Sequence, residues 1–234
     1  MIENETADGG IGSVFGKGDV VLRVEIADVQ CGVKNDGAIG EREWALDDIE
    51  LIFSRRGSAR YSGEPVTQLE HALQTAHLAE QSGAVDELVT ACLLHDLGHL
   101  LNDQGHGVDD TPSLRGIDDT HQYFALPFLR GLFPDAVLDA IKLHVDAKRY
   151  LCQANAGYFA KLSDDSKRSL ALQGGVFSAA QSAAFLGQSG AIEAVRLRQW
   201  DDLAKQEDLA TPPLAHFLAR AERCRIGVRD SRAE

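Results

Sequence analysis

His95 and Asp96 stand side by side inside an apolar run, Ala91-Cys92-Leu93-Leu94-His95-Asp96-Leu97-Gly98-His99. Two polar side chains in such a run need partners, because an unsatisfied buried polar group costs on the order of 1–3 kcal/mol and a charged one more. A metal ion satisfies both. Four further potential ligands lie at wide spacings, His71 upstream and His121, His144 and Asp201 downstream. Four histidines and two carboxylates suffice for two ions. The four cysteines (Cys31, Cys92, Cys152, Cys224) are scattered and show no Cys-x-x-Cys spacing, so they read as reduced thiols and not as a zinc site.

The elements that must position these residues follow from periodicity. Leu46, Ile49 and Phe53 mark one face of a first helix ending near Gly57. Helices are predicted over 65–82 and 85–101; in the second, Leu88, Ala91, Cys92 and His95 recur at helical spacing, with His99 one turn beyond His95. The Asp- and Gly-rich stretch 102–117 is a loop. Helices follow at about 118–131 and 134–148, where His144 and Lys148 continue the stripe Val137-Ile141. Short helices and loop fill 150–175, two more helices span 176–187 and 189–206, and Pro212-Pro213 opens the last one. Tyr61, Glu64, Gln68 and His71 share a face if their helix reaches back to Tyr61. Three segments thus each send a histidine inward. The expected fold is all-α: one helical-bundle domain over 45–224, an N-terminal extension over 1–44 whose Val20–Val29 alternation predicts one docked or mobile strand, and a tail over 225–234.

Composition sets outer limits. A formal net charge of -13 argues against nucleic acid or an anionic membrane surface as the main partner. No apolar run approaches the ~20 residues of a membrane span, and the acidic, glycine-rich N-terminus does not resemble a secretory signal. The expected compartment is the cytoplasm. His77, His106 and His216 read as ordinary histidines, and Asp201 on its own as a helix-surface carboxylate.

The order His71, His95-Asp96, His121, His144, Asp201 resembles the HD-domain superfamily, most of whose members are phosphohydrolases. Several stretches resemble a smaller branch, the PhnZ-like HD-domain oxygenases that cleave the carbon–phosphorus bond of 1-hydroxyphosphonates. They are Tyr61-Ser62-Gly63-Glu64, Leu94-His95-Asp96-Leu97-Gly98-His99, His144-Val145-Asp146-Ala147-Lys148, Leu162-Ser163-Asp164-Asp165-Ser166 with Gln173, and Arg198-Gln199-Trp200-Asp201. The likeness covers about residues 46–220.

That resemblance implies a mixed-valent Fe(II)/Fe(III) pair held by His71, His95, Asp96, His121, His144 and Asp201, with Asp96 bridging and dioxygen as co-substrate. It implies that His99, Lys148, Ser166, Gln173 and Arg198 bind the phosphonate, and that Tyr61 and Glu64 face the substrate's amino end. A carboxylate at Glu64 and an aromatic ring at Tyr61 would favour an amine or quaternary ammonium. The implied substrate is a small 1-hydroxy-2-(amino or trimethylammonio)ethylphosphonate, giving phosphate and glycine or an N-methylated glycine. His121 is preferred over His106 as the fourth ligand because it opens a helix and matches the spacing. Asp103, Asp109, Asp110, Asp118 and Asp119 would place negative charge near the pocket mouth, again favouring a cationic tail. Competing readings are a two-metal phosphohydrolase, which the ligand set alone allows, a silent HD domain used for binding, and an oxygenase of cyclic polyols.

Overall fold

The computed structural model describes residues 23–26, 29–32, 44–61, 63–101 and 111–227. The chain divides into two units, 1–44 and 45–234. In the first, strands β1 (Arg23–Ile26) and β2 (Val29–Gly32) pair antiparallel, Arg23 opposite Gly32 and Ile26 opposite Val29. This corrects the expectation of a single strand through Val29. The described residues of the second unit form twelve helices and, apart from one isolated bridge between Arg60 and Thr67, no strand.

Helix α1 (Leu46–Arg56) starts where the Asp48 carboxylate accepts the Ala45 N–H at 2.8 Å. Acidic residues in its first turn and Arg55 and Arg56 in its last complement the helix dipole. Helix α2 (Gln68–Gln81) begins with a capping box: Thr67 accepts from the Glu70 N–H and Glu70 accepts from the Thr67 N–H. That cap fixes His71 one turn inside the helix. The helix thus does not reach back to Tyr61, and Tyr61 and Glu64 lie in a turn before it. There Glu64 N–H donates to Tyr61 O at 2.9 Å, and Gly63 adopts φ +69°.

The helix predicted over 85–101 is two helices, α3 (Asp86–Leu94) and α4 (Leu97–Leu101), separated by His95 and Asp96. The break turns these neighbouring side chains towards one site. Beyond the undescribed 102–110, which contain His106, Asp103, Asp109 and Asp110, come α5 (His121–Phe124) and α6 (Leu126–Leu129). The long α7 (Asp135–Ala154) is followed by α8 (Tyr158–Lys161) and α9 (Asp164–Leu172). The last three are α10 (Ala179–Leu186), α11 (Ala191–Leu203) and α12 (Leu214–Arg223).

Helix α7 is the spine, packed along α11 and α3, while α2 and α12 lie on α3. Val137, Ile141, His144, Lys148 and Leu151 are all buried, so the predicted stripe runs unbroken along α7 into the core. Ala140, Ala147, Ala191 and Ala194 are buried between the spine and its neighbours and let the backbones approach closely. Gly190, at φ +76°, starts α11 so near α7 that a Cβ there would lie 2.6 Å from that of Asp139. Phe133, Phe185, Phe217, Ile141 and Leu197 are fully buried; each contributes about 1.5–3 kcal/mol of apolar burial. No helix among the described residues is long and apolar enough to cross a membrane.

Candidate metal centre

Six side chains from five segments meet at the centre of this bundle. His71 comes from α2, His95 and Asp96 from the α3–α4 break, His121 from the first residue of α5, His144 from α7 and Asp201 from the last turn of α11. All six are buried, His71 and His95 completely.

The four imidazoles share one hydrogen-bonding logic. His71 Nδ1–H donates to Ala204 O at 2.8 Å, His95 Nδ1–H to Cys92 O at 2.8 Å and His144 Nδ1–H to Ile141 O at 2.7 Å. His121 Nδ1–H donates to Asp119 Oδ1 at 2.8 Å. Carbonyl and carboxylate oxygens only accept, so each ring carries a proton on Nδ1, and in its neutral form it points an Nε2 lone pair inward. Burial lowers the pKa of His95 and pushes that of His144 well down, which keeps these rings neutral and able to ligate.

The lone pairs form two clusters about Asp96. Its Oδ2 lies 3.6 Å from His71 Nε2 and 3.4 Å from His95 Nε2, and those two nitrogens are 3.2 Å apart. Asp201 joins this side, Oδ1 at 3.4 Å from His71 and Oδ2 at 3.9 Å from His95. Asp96 Oδ1 faces the other way, 3.4 Å from His121 Nε2 and 3.7 Å from His144 Nε2, which are 3.1 Å from each other. With metal–nitrogen bonds of about 2.0–2.1 Å, two donors of one ion lie roughly 2.9–3.4 Å apart, close to these spacings. Asp96 Oδ2 and Asp201 Oδ1 are buried with no hydrogen-bond partner. Two orphaned carboxylate oxygens among four inward lone pairs need cations. The residues fit two metal ions sharing Asp96.

His99 Nε2 also lies 3.9 Å from Asp96 Oδ1 and could complete a cluster with Asp96 and His121. Its other nitrogen pairs with Asp119 Oδ2 at 2.8 Å. Burial works against the charged ring, but the Asp119 carboxylate prevails and raises His99 to about 9. His144 Nε2 lies nearer to Asp96 Oδ1, at 3.7 Å, and 3.1 Å from His121 Nε2, so by distance His144 goes with these two and His99 stands at the cavity wall. Asp119, expected at the pocket mouth as free negative charge, instead spans His99 and His121 with its two oxygens. Thr120 supports this arrangement in a left-handed conformation (φ 48°) that β-branched residues rarely adopt. Gly98 permits it: a Cβ there would lie 2.0 Å from His121 O.

A cavity of about 60 Å³ opens beside Asp96, lined by Tyr61, His99, Lys148, Ser166, Gln173 and Arg198 among others. Lys148 is only 3% exposed, so it is no solvated helix-end cation. Its ammonium donates to Ser169 Oγ at 2.8 Å, a contact that sequence reading missed although Ser169 lies one turn from Ser166 on α9. Burial, aided by Arg198, lowers Lys148 to about 7. Arg198 is more committed than expected: it pairs with Asp201 at 2.8 Å and with Asp202, and lies 3.4 Å from the Tyr158 hydroxyl. Tyr61 stacks on His71 with ring centroids 3.9 Å apart, and burial, with Asp96 and Asp201, holds its phenol protonated. Glu64 is not on the cavity wall; Lys205 donates to it at 2.7 Å.

The sequence matches the HD domain family over residues 69–173. It is 43% identical over 185 residues to the hydroxymethylphosphonate dioxygenase of Gimesia maris, covering 79% of this chain and 89% of that protein. It is 39% identical over 173 residues to the 1-hydroxy-2-(trimethylamino)ethylphosphonate dioxygenase (glycine-betaine-forming) of Leisingera caerulea, covering 74% of this chain and 86% of that one. Identity at this level over most of both chains, with the HD pair at the centre of the buried donor set, shows that the chain belongs to the HD-domain family of phosphonate dioxygenases.

Proposed function

We propose that this enzyme uses dioxygen to cleave the carbon–phosphorus bond of a small 1-hydroxyphosphonate, releasing phosphate and a carboxylic acid. The observation that carries the reading is one carboxylate, Asp96, shared by two buried donor clusters beside a cavity lined with phosphonate-sized hydrogen-bond donors.

His71, His95 and Asp201 would hold one iron, His121 and His144 the other, and Asp96 both. Bound there, a mixed-valent Fe(II)/Fe(III) pair supplies dioxygen binding, one-electron chemistry and chelation of hydroxyl and phosphonate oxygens. The protein's own groups do the rest. The Lys148 ammonium, the Ser166 hydroxyl, the Gln173 amide and the His99 imidazolium offer hydrogen bonds to an oxyanion at the cavity wall. Arg198, tied to Asp201 and Asp202, orients the carboxylate and adds positive charge behind the phosphonate. Tyr61, flat against His71, fills space over the first cluster and keeps water from it until a substrate displaces the ring. The free thiols of Cys92, Cys152 and Cys224 accord with a reducing compartment, which supports the cytoplasm.

A two-metal hydrolase would need no dioxygen, and both named relatives are dioxygenases, so that reading is not favoured. The test is phosphate release from hydroxymethylphosphonate by iron-loaded protein in air and under argon, with a nucleotide as control. Release confined to air supports the proposal; equal release under argon, or release from the nucleotide, overturns it.

A further inference from the structure

Arg149 follows Lys148 on α7 and is absent from the cavity wall, yet its guanidinium takes both carbonyls of the Gly174–Gly175 turn that follows Gln173. We infer that Arg149 is a positioning residue for the phosphonate: it fixes the turn after α9 so that Gln173 stands in the cavity wall at a set place relative to Lys148. The inference rests on the phosphonate-cleaving reading above.

Consecutive residues of a helix point about 100° apart, so Lys148 and Arg149 leave α7 in different directions. Lys148 reaches Ser169 of α9 at the cavity. Arg149 reaches the C-terminal end of the same helix. Its Nε–H donates to Gly175 O at 2.9 Å and its Nη2–H to Gly174 O at 3.2 Å, while Nη1 pairs with Asp146 at 3.1 Å. The flat fork of a guanidinium suits two neighbouring acceptors, which a single ammonium does not span in the same way. Helix α7 thus grips α9 through adjacent residues, once at Ser169 and once just past Gln173.

The turn is built for this grip. Gly174 and Gly175 both have positive φ, +94° and +71°, conformations that other residues adopt only at a cost. A Cβ on Gly174 would lie 2.8 Å from Arg149 Nη2, so any larger residue there would displace the guanidinium. The guanidinium carbon also sits 4.2 Å from the centre of the Phe177 ring, and Phe177 N–H donates to Arg149 O at 3.4 Å. Phe177 is buried against Phe185, so the far end of the turn is anchored as well. Gln173, by contrast, has a buried amide oxygen with no hydrogen-bond partner among the described residues. Its place in the wall is set by the backbone, and Arg149 fixes that backbone.

The experiment measures binding of hydroxymethylphosphonate and of 2-amino-1-hydroxyethylphosphonate under argon to full-length, iron-loaded protein. It compares the wild type, Arg149→Met, Arg149→Lys, Gln173→Ala and the double variant Arg149→Met/Gln173→Ala. In Arg149→Met the Kd rises by about tenfold, the scale of one charge-assisted hydrogen bond, and by the same factor for both ligands because the phosphonate is what they share. Gln173→Ala has a like effect alone but adds less than about twofold to Arg149→Met, because an amide already misplaced has little left to lose. Arg149→Lys keeps the cation but not the fork and lies between the wild type and Arg149→Met; it carries the test if Arg149→Met does not fold. Iron content equals that of the wild type throughout, since no metal ligand is touched. A Kd unchanged in Arg149→Met, even with a lower melting temperature, overturns the inference and leaves the phosphonate-cleaving reading standing. So does a Gln173→Ala effect as large without Arg149 as with it, or a loss of iron in Arg149→Met. A wild type that binds neither ligand and releases no phosphate from either in air overturns that reading and the inference with it.

Discussion

Nε2 of His71 and Nε2 of His95 face each other across 3.2 Å, and since each ring donates its Nδ1–H to a backbone carbonyl, the neutral rings turn two lone pairs together. Two lone pairs at that distance repel, and the adjoining oxygens of Asp96 and Asp201 add negative charge. The fold therefore holds together a cluster that is unfavourable by itself and that a cation makes favourable. Stripping the protein with a chelator is expected to lower its melting temperature, and Fe(II) to restore it. At a hundredfold excess over Kd the gain is about 2.7 kcal/mol, or roughly 5–10 °C for a domain of this size. Calorimetry with and without metal checks this.

Asp119 holds the other side in the same manner, one carboxylate receiving both the His121 and the His99 Nδ1–H at 2.8 Å. In Asp119→Asn the amide can accept from only one of them. Metal affinity at the cluster of His121, His144 and Asp96 should fall about 10–100-fold with the fold intact. Titration of the apo-protein with Fe(II) under argon, with circular dichroism as the control for folding, measures it.

Gly98→Ala tests the same side by geometry. The new Cβ would meet His121 O at 2.0 Å, a clash that the backbone of α4 or α5 must absorb. The expected protein remains helical, binds close to one iron per chain and has lost most of its activity. Two irons per chain in a fully active variant would mean that this close approach does not position His121.

Lys148 links binding to pH. Burial first, and Arg198 second, depress its pKa from 10.5 to about 7, so above pH 7 the side chain is increasingly neutral. A bound phosphonate favours the ammonium, and binding above pH 7 therefore takes up a proton. Affinity for a phosphonate inhibitor should fall as pH rises beyond about 7, by up to about tenfold per pH unit. Lys148→Arg, charged throughout, should flatten that slope. Inhibition constants at a series of pH values report both.

Acid stability tests the packing of α12 on α3. Arg220 pairs with Glu80 and Asp86, and Arg223 with Asp86 at 2.6 Å. Burial works against the ionised Glu80, but His216 and Arg220 hold its pKa below normal, while Arg223 and then Arg220 do so for Asp86 despite partial burial. A carboxylate depressed in the folded state contributes its full stability above the unfolded value, here 4.5 for Glu80 and 3.8 for Asp86, and loses it as pH falls through the folded value. Arg220→Ala should cost about 1 kcal/mol at pH 7, the scale of a partly exposed ion-pair network. As pH falls below 4.5 and then 3.8 the difference from wild type should shrink, as thermal melts at pH 7 and in acid would show.

Much of this site was legible in the sequence because the helices that carry it are strongly periodic. The α7 stripe ending in His144 and Lys148, and the improbability of His95-Asp96 in an apolar run, led to donors that do converge. What was misread lay where periodicity is silent. No glycine or proline marks the α3–α4 break, so 85–101 read as one helix. The signals that start α2 only at Gln68 were present, in the Thr67–Glu70 capping box and Gly63, but the offsets of Tyr61 and Glu64 happened to mimic a helical face. Asp119 looked like loop charge because its partners are set by folding: His99 lies across the undescribed 102–110 in sequence. Lys205 is 141 residues from Glu64, a pairing no local pattern encodes.

The most direct measurement follows dioxygen uptake and phosphate release together, in one vessel, from iron-loaded protein given hydroxymethylphosphonate. One dioxygen consumed for each phosphate and each carboxylic acid formed, with both lost in Asp96→Asn, is the expected result. Phosphate released without dioxygen uptake, or uptake that survives in Asp96→Asn, would contradict a reaction run by two metals that share Asp96.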